Sequence, residues 1–247
     1  MTLVAVAGAL LVGLTLGLLG GGGAIVTVPV LVYAMGLDAK LAVVMALPIV
    51  GGVSAVGVVQ HWRQGNVDFR TAGIFGLAAM LGAFGGAKLA RYVSGTAQLL
   101  MLALLMLGAA VSMLRSRRLG ATEESDTRNL GATVLAVGLG VGVLTGLLGI
   151  GGGFLLVPAL VLLAEVPMRQ AVGTSLTVIA MNTAAGYLGY VGQVQLPWML
   201  VLQFGAVAAV GIVAGSALVP RIPQAGLKKT FGVLLILLSA LIIWQQT

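Results

Sequence analysis

An all-α, polytopic membrane protein made of two related halves is the fold this sequence predicts, on three observations. Of its 247 residues, 60% are hydrophobic and only 8% charged, against roughly 25% charged in a soluble domain. Its apolar runs are long and continuous, as membrane helices require, rather than the short alternating segments of a membrane β-barrel. A glycine-rich segment near the start recurs after the midpoint.

Taken in order, the apolar segments fall at 3–19, 24–35, 39–60, 71–91 and 97–114. A polar linker follows at 115–129 (RSRRLGATEESDTRN), and the series restarts at 131–148, 153–164, 168–191, 198–219 and 227–244. At an offset of 129, GLLGGGGAIVTVPVL (17–31) aligns with GLLGIGGGFLLVPAL (146–160), identical at nine of fifteen positions. Gly57 matches Gly186, and Gly82 and Gly86 match Gly211 and Gly215. The expected organisation is a first repeat at 1–114, a linker at 115–129 and a second repeat at 130–247. Repeats of this kind are a common construction of secondary transporters, with the substrate site between the halves.

The stretch 3–35 is too long for one straight span: as a helix it would extend roughly 50 Å, against a hydrocarbon core of about 30 Å. Four consecutive glycines, Gly20 to Gly23, should break it, because glycine costs about 1 kcal/mol against alanine inside a helix. Either the segment is one bent crossing, or it is a hairpin with the glycines at its tip. Basic residues discriminate. A single bent crossing per half divides them six against seven; a hairpin per half puts Lys40, Lys88 and Arg91 on one side and the other ten opposite. The excess of cytoplasmic Lys and Arg in membrane proteins favours the hairpin. Each half then crosses an odd number of times, the halves are inverted, both termini lie outside, and the linker is cytoplasmic. The first Lys or Arg is Lys40, so the N-terminal apolar stretch lacks the basic flank of a cleaved signal.

Irregular backbone inside a bilayer is tolerated where protein or water satisfies it. Each break should leave unpaired N–H groups in the first turn of the next helix, near Ala24–Ile25 and Gly153–Phe154. Such helix ends favour anions. The candidate substrate-binding residues are therefore Gly20, Gly21, Gly22, Gly23 and Ala24 with Gly149, Gly151, Gly152 and Gly153, joined by Thr174, Ser175 and Asn182 from a polar cluster on 168–191. Asn182 is the most costly of these to bury; Gln203 is a weaker candidate. Gly82/Gly86 and Gly211/Gly215 suit close helix packing instead. Lys88 reads as a snorkelling lysine, and His61, at a helix end beside Trp62, as an interfacial residue.

Catalysis finds little material. The chain has no Cys, one His and six acids, no carboxylate in the middle of an apolar segment, and no phosphate-binding G-x-x-x-x-G-K-[ST] loop. No enzyme activity, cofactor or metal is expected. The charge of +7 lies in short loops between apolar runs, which suits a membrane topology signal and not a nucleic-acid surface. The expected partners are a small anion and the lipid bilayer, and self-association is left open. An anion channel, or a membrane subunit of a larger complex, is the alternative.

The doubled G-L-L-G-x-G-G-G-x-x-x-x-P motif, the Ala171-Val172-Gly173-Thr174-Ser175 stretch and the G-x-x-x-G helices together resemble the TauE/SafE sulfite exporter family over essentially the whole chain. The resemblance implies a bacterial inner-membrane, multi-pass permease for sulfite, sulfonates or related organosulfur anions. Two departures stand out: Val44-Met45-Ala46 replaces the Gly-Thr-Ser of that family pattern in the first half, and Gly21 is matched by Ile150.

Overall fold

The structure, a computed structural model, describes residues 3–115, 127–148, 153–162 and 166–246. Among them are ten α-helices: α1 (Leu3–Leu19), α2 (Gly21–Pro29), α3 (Ala39–Arg63), α4 (Phe69–Leu89), α5 (Gly95–Arg115), α6 (Thr127–Leu148), α7 (Gly153–Leu162), α8 (Met168–Tyr190), α9 (Trp198–Leu218) and α10 (Gln224–Gln246). Three stretches are long and apolar enough to cross a membrane: Ala39–Arg63, Phe69–Tyr92 and Trp198–Arg221. Shorter apolar helices accompany them. Large apolar side chains such as Leu77, Leu81, Leu202 and Val210 face outward, as bilayer contact requires. This is a multi-pass membrane protein.

Elements end where local chemistry ends them. Asp38 and Asp68 open α3 and α4, each accepting with Oδ1 from two amides of the first turn; such caps satisfy donors with no intrahelical partner. Pro29, which has no amide hydrogen to donate, closes α2, and the chain widens into a π turn over Val30–Ala34. Helix α5 runs through Arg115 and α6 through Thr127, positions expected in the linker, while 116–126 lie outside the described residues.

The break in the first glycine run is narrower than expected. Only Gly20 leaves the helix, with φ +58°, a conformation glycine adopts without strain. Gly21, Gly22 and Gly23 form the first turn of α2. Four glycines weaken a helix, but helix propensity is a modest bias that surrounding packing overrides.

Close contacts fix the directions of neighbouring helices. Gly8 lies against Val30 and Gly23 against the Leu16 backbone. Both pairs are centred near residue 19, so α2 folds back along α1. Leu47 meets Gly186, Gly51 meets Thr183, Gly57 meets Leu176 and His61 meets Gly173; α3 and α8 are therefore antiparallel. α1 packs along α9 and α4 along α6, and both pairs are parallel.

Those parallel pairs are backbone-to-backbone. Gly13, Gly17, Gly211 and Gly215 bring α1 onto α9, where an added methyl would strike the carbonyls of Ala208, Ile212, Leu10 and Leu14 respectively. Gly142, Gly146, Gly82 and Gly86 do the same between α6 and α4, against the carbonyls of Ala79, Ala83, Leu139 and Val143. Every contact of one set maps onto the other by adding or subtracting 129. Gly82/Gly86 and Gly211/Gly215 are packing residues, as their spacing suggested.

A second matched pair closes the ends. Lys40 Nζ donates to the carbonyls of Ala90 and Val93. At the position 129 residues later, Arg169 donates to the carbonyls of Pro220 and Ile222, at 3.2 and 3.3 Å. Each cation covers carbonyls left free where α4 or α9 runs out.

Candidate functional site

Four elements gather at the centre of the protein. α2 packs on α7 and α3, α7 packs on α8, and α3 crosses α8. Three of them carry fully buried polar atoms with no partner among the described residues: Thr27 Oγ1 on α2, Ser54 Oγ on α3, and both amide atoms of Asn182 on α8. An unsatisfied buried amide costs about 1–3 kcal/mol per polar group. Asn182 lies one residue from Thr183, which meets Gly51 midway along α3. Asn182 thus lies at the level of Gly51, partway along the seam between α3 and α8.

The expected cluster on α8 separates on inspection. Thr174 Oγ1 accepts from the Asp68 amide at 3.0 Å, so it holds the loop between α3 and α4. Ser175 Oγ donates to the Val172 carbonyl at 2.8 Å and accepts from the Gly21 amide at 3.3 Å. Of the predicted donors, Gly21 is therefore the one tied to α8, and the Gly23 amide returns to the Gly20 carbonyl at 3.0 Å. Ala24 is buried inside α2; the first turn starts three residues before it, because Gly21–Gly23 are helical. A side chain at Gly20 would come 2.6 Å from Ser175 Oγ and 2.8 Å from the Val172 carbonyl, so the tip fits against α8 only as glycine. Gly153 is the first residue of α7, while Gly149, Gly151 and Gly152 lie outside the described residues.

Other expectations resolve plainly. Gln203 is exposed on α9, away from the buried centre. Lys88 is exposed with its ammonium 4.5 Å from the Phe84 ring centroid, as a lysine reaching the membrane edge would be.

His61 departs most from expectation. Instead of an interfacial position it is fully buried, with Nε2 3.2 Å from the Gly17 carbonyl in the last turn of α1 and Nδ1 unpartnered among the described residues. Trp62 beside it is exposed and stacks edge-on with Phe69 at 6.3 Å. The repeat offset could have exposed the role: position 190 is Tyr190, whose Oη donates to the Leu147 carbonyl at 3.0 Å, near the end of α6. Gln98 joins there, donating to the same carbonyl and to Tyr190 Oη.

These elements carry a buried amide, buried hydroxyls and a helix N-terminus, with no buried Asp, Glu, Lys or Arg among the described residues. Among the described residues no group of three or more His, Cys, Asp or Glu could hold a metal ion.

Comparison with known proteins agrees in scale. The sulfite exporter TauE/SafE family matches residues 5–242. A probable membrane transporter protein of Xylella fastidiosa (strain 9a5c) is 32% identical over 241 residues, covering 96% of this chain and 92% of its own. Probable membrane transporter proteins of Bacillus subtilis (YdhB, 26% over 225 residues, 89% and 91% of the two chains) and Methanocaldococcus jannaschii (23% over 248 residues, 91% and 92%) are also similar. No solved structure matches. The doubled glycine motif and the match over nearly the whole length lead to one conclusion: the chain belongs to the sulfite exporter TauE/SafE family.

Proposed function

We propose that this membrane transporter moves a small anion, of the sulfite, sulfonate or related organosulfur class, across the bacterial inner membrane by alternating access between two inverted repeats. The observation that carries the reading is the unpartnered, fully buried Asn182 amide on α8. A polar group kept buried without a partner is costly unless a ligand completes it.

The helix directions support the inversion. α3 and α8 stand 129 residues apart in the alignment and run antiparallel, and α1 runs parallel to α9 while α6 runs parallel to α4. Two copies related by an axis in the membrane plane require such antiparallel equivalents. The fold-back of α2 on α1 likewise supports a glycine-tipped hairpin. In this reading Asn182, Ser54 and Thr27 contact the anion, and the Gly21 amide with Ser175 lines its path.

The test is uptake into liposomes containing the purified protein, offered sulfite, thiosulfate, sulfoacetate, sulfate and carboxylate anions, beside thermal melts with each. Saturable uptake of at least one sulfur anion, lost in Asn182→Leu, is expected. Stabilisation and uptake confined to a cation or a neutral solute would overturn the reading, and flux at channel rates would replace the carrier with a pore.

A further inference from the structure

We propose that His61 binds a proton that travels with the anion, making this protein a proton-coupled anion carrier. The inference rests on the transport reading above and adds the coupling ion and its site.

His61 is the chain's single histidine, and imidazole is the side chain whose charge changes near neutral pH. The ring is fully buried, with Nε2 on the Gly17 carbonyl and Nδ1 without a partner. As a neutral ring it donates from Nε2 and leaves Nδ1 an empty acceptor. A proton arriving at Nδ1 fills that position and makes the ring a cation.

The end of α1 offers that cation a counterpole against the cost of burying a charge. Gly17 lies in the last turn of α1, where the carbonyls and the helix dipole present negative charge. Three residues beyond α1's Gly17 comes Gly20, and then the first turn of α2 with its opposite polarity. A cation and an anion would thus find complementary helix ends on the two sides of one glycine turn. Neutral transport of the pair avoids carrying net charge through apolar surroundings.

Other charges leave this role to His61. α1 and α9 contain no titratable side chain. On α8, Arg169 is engaged at the carbonyls of Pro220 and Ile222. On the adjoining loop and the start of α4, the Asp68 carboxylate accepts from the amides of Arg70 and Thr71 and from the Thr71 hydroxyl, and Arg63 and Arg70 are exposed. The other half places a hydroxyl and an amide, from Tyr190 and Gln98, in the matching location. A hydroxyl therefore suffices to fasten the helix end, and the histidine supplies something further.

The decisive experiment uses liposomes of wild-type protein with a pH dye in the lumen and methanesulfonate or thiosulfate outside. Both anions stay ionised near neutral pH, so neither brings a proton in as its own acid, and the membrane potential is clamped with potassium and valinomycin so that leak does not mimic coupling. Wild type should acidify the lumen as anion enters, and His61→Tyr, which replaces the ring N–H with a hydroxyl donor for the Gly17 carbonyl, should lose the acidification. Anion uptake without acidification by wild type, or undiminished acidification by His61→Tyr, overturns the coupling and leaves the transport reading standing. No uptake of these or of any other sulfur anion by wild type overturns both. Should His61→Tyr not assemble, proton uptake by detergent-solubilised wild type on binding methanesulfonate decides the matter: a proton taken up supports the proposal, and none defeats it.

Discussion

The Gly21 amide donates to Ser175 Oγ across 3.3 Å and 154 residues of sequence, so the tip after α1 is fastened to α8 by one hydroxyl. An anion offered to the first turn of α2 competes with that hydroxyl for the same amide. Ser175→Ala should lower stability by about 1 kcal/mol, the usual worth of one such bond, without preventing membrane insertion. Thermal melts and anion titration of the same sample check it. If the site lies here, the titration shifts as well as the melt.

Asn182 separates a ligand-binding role from a packing role. Asn182→Leu removes two unpartnered polar atoms from the buried centre, relieving a penalty of about 1–3 kcal/mol per group against modest repacking strain. The variant should melt no lower than wild type, and higher where leucine fits, while losing anion uptake. A lower melting temperature with normal uptake would assign Asn182 to the scaffold.

The parallel helix pairs give a sharp contrast among glycines. Gly142→Leu and Gly13→Leu each drive a side chain into a neighbouring backbone, at Ala79 and Ala208, and should abolish monodisperse protein in gel filtration. Overpacking of this kind costs typically 1–3 kcal/mol, occasionally more, and here the obstacle is main chain that cannot rotate away. Gly73→Ala and Gly85→Ala, where an added methyl meets nothing within 4 Å, should express as wild type.

Asp68 predicts a pH dependence outside the bilayer. Its hydrogen bond from the Thr71 hydroxyl, with those from the Thr71 and Arg70 amides and the nearby Arg70 charge, holds the carboxyl below its ordinary value despite some desolvation. A depressed carboxylate contributes stability above its unfolded-state pKa and loses it as pH falls through the folded-state value. Asp68→Ala should therefore destabilise by about 1 kcal/mol at neutral pH, as loss of an N-cap does. The difference from wild type should shrink in acid, below the ordinary carboxylate range. Melts of both proteins across that range measure it.

Helices and their limits were legible because apolar runs and caps are local. The sequence segments 3–19 and 153–164 correspond to α1 (Leu3–Leu19) and α7 (Gly153–Leu162) almost residue for residue. Fold-back at Gly20 was legible from loop charges, but its confinement to one residue was not, since packing against Val172 and Ser175 decides it. The partners of Gly82 and Gly211 were hidden for the same reason: Gly142 and Gly13 reveal their role only when α6 meets α4 and α1 meets α9. Thr174 and Ser175 looked alike as neighbouring hydroxyls, yet one supports the Asp68 loop and the other the tip. The burial of His61 was hidden by its neighbour, since Trp62 is exposed on the same helix end. One step along the helix, a rotation of about 100°, puts the tryptophan outside and the imidazole inside.

The exchange of partners between halves also sets an order of assembly. α1 is made first, yet the surface that receives its glycine stripe, α9, is made some 200 residues later. During synthesis the N-terminal helices must wait in the bilayer with that stripe facing lipid or a chaperone, and the structure closes only when Trp198–Leu218 arrives. Two fragments divided within residues 116–126 should then complement each other when made together, whereas either made alone should be degraded. The two glycine-lined helix pairs, in this sense, form one clasp and not two independent units.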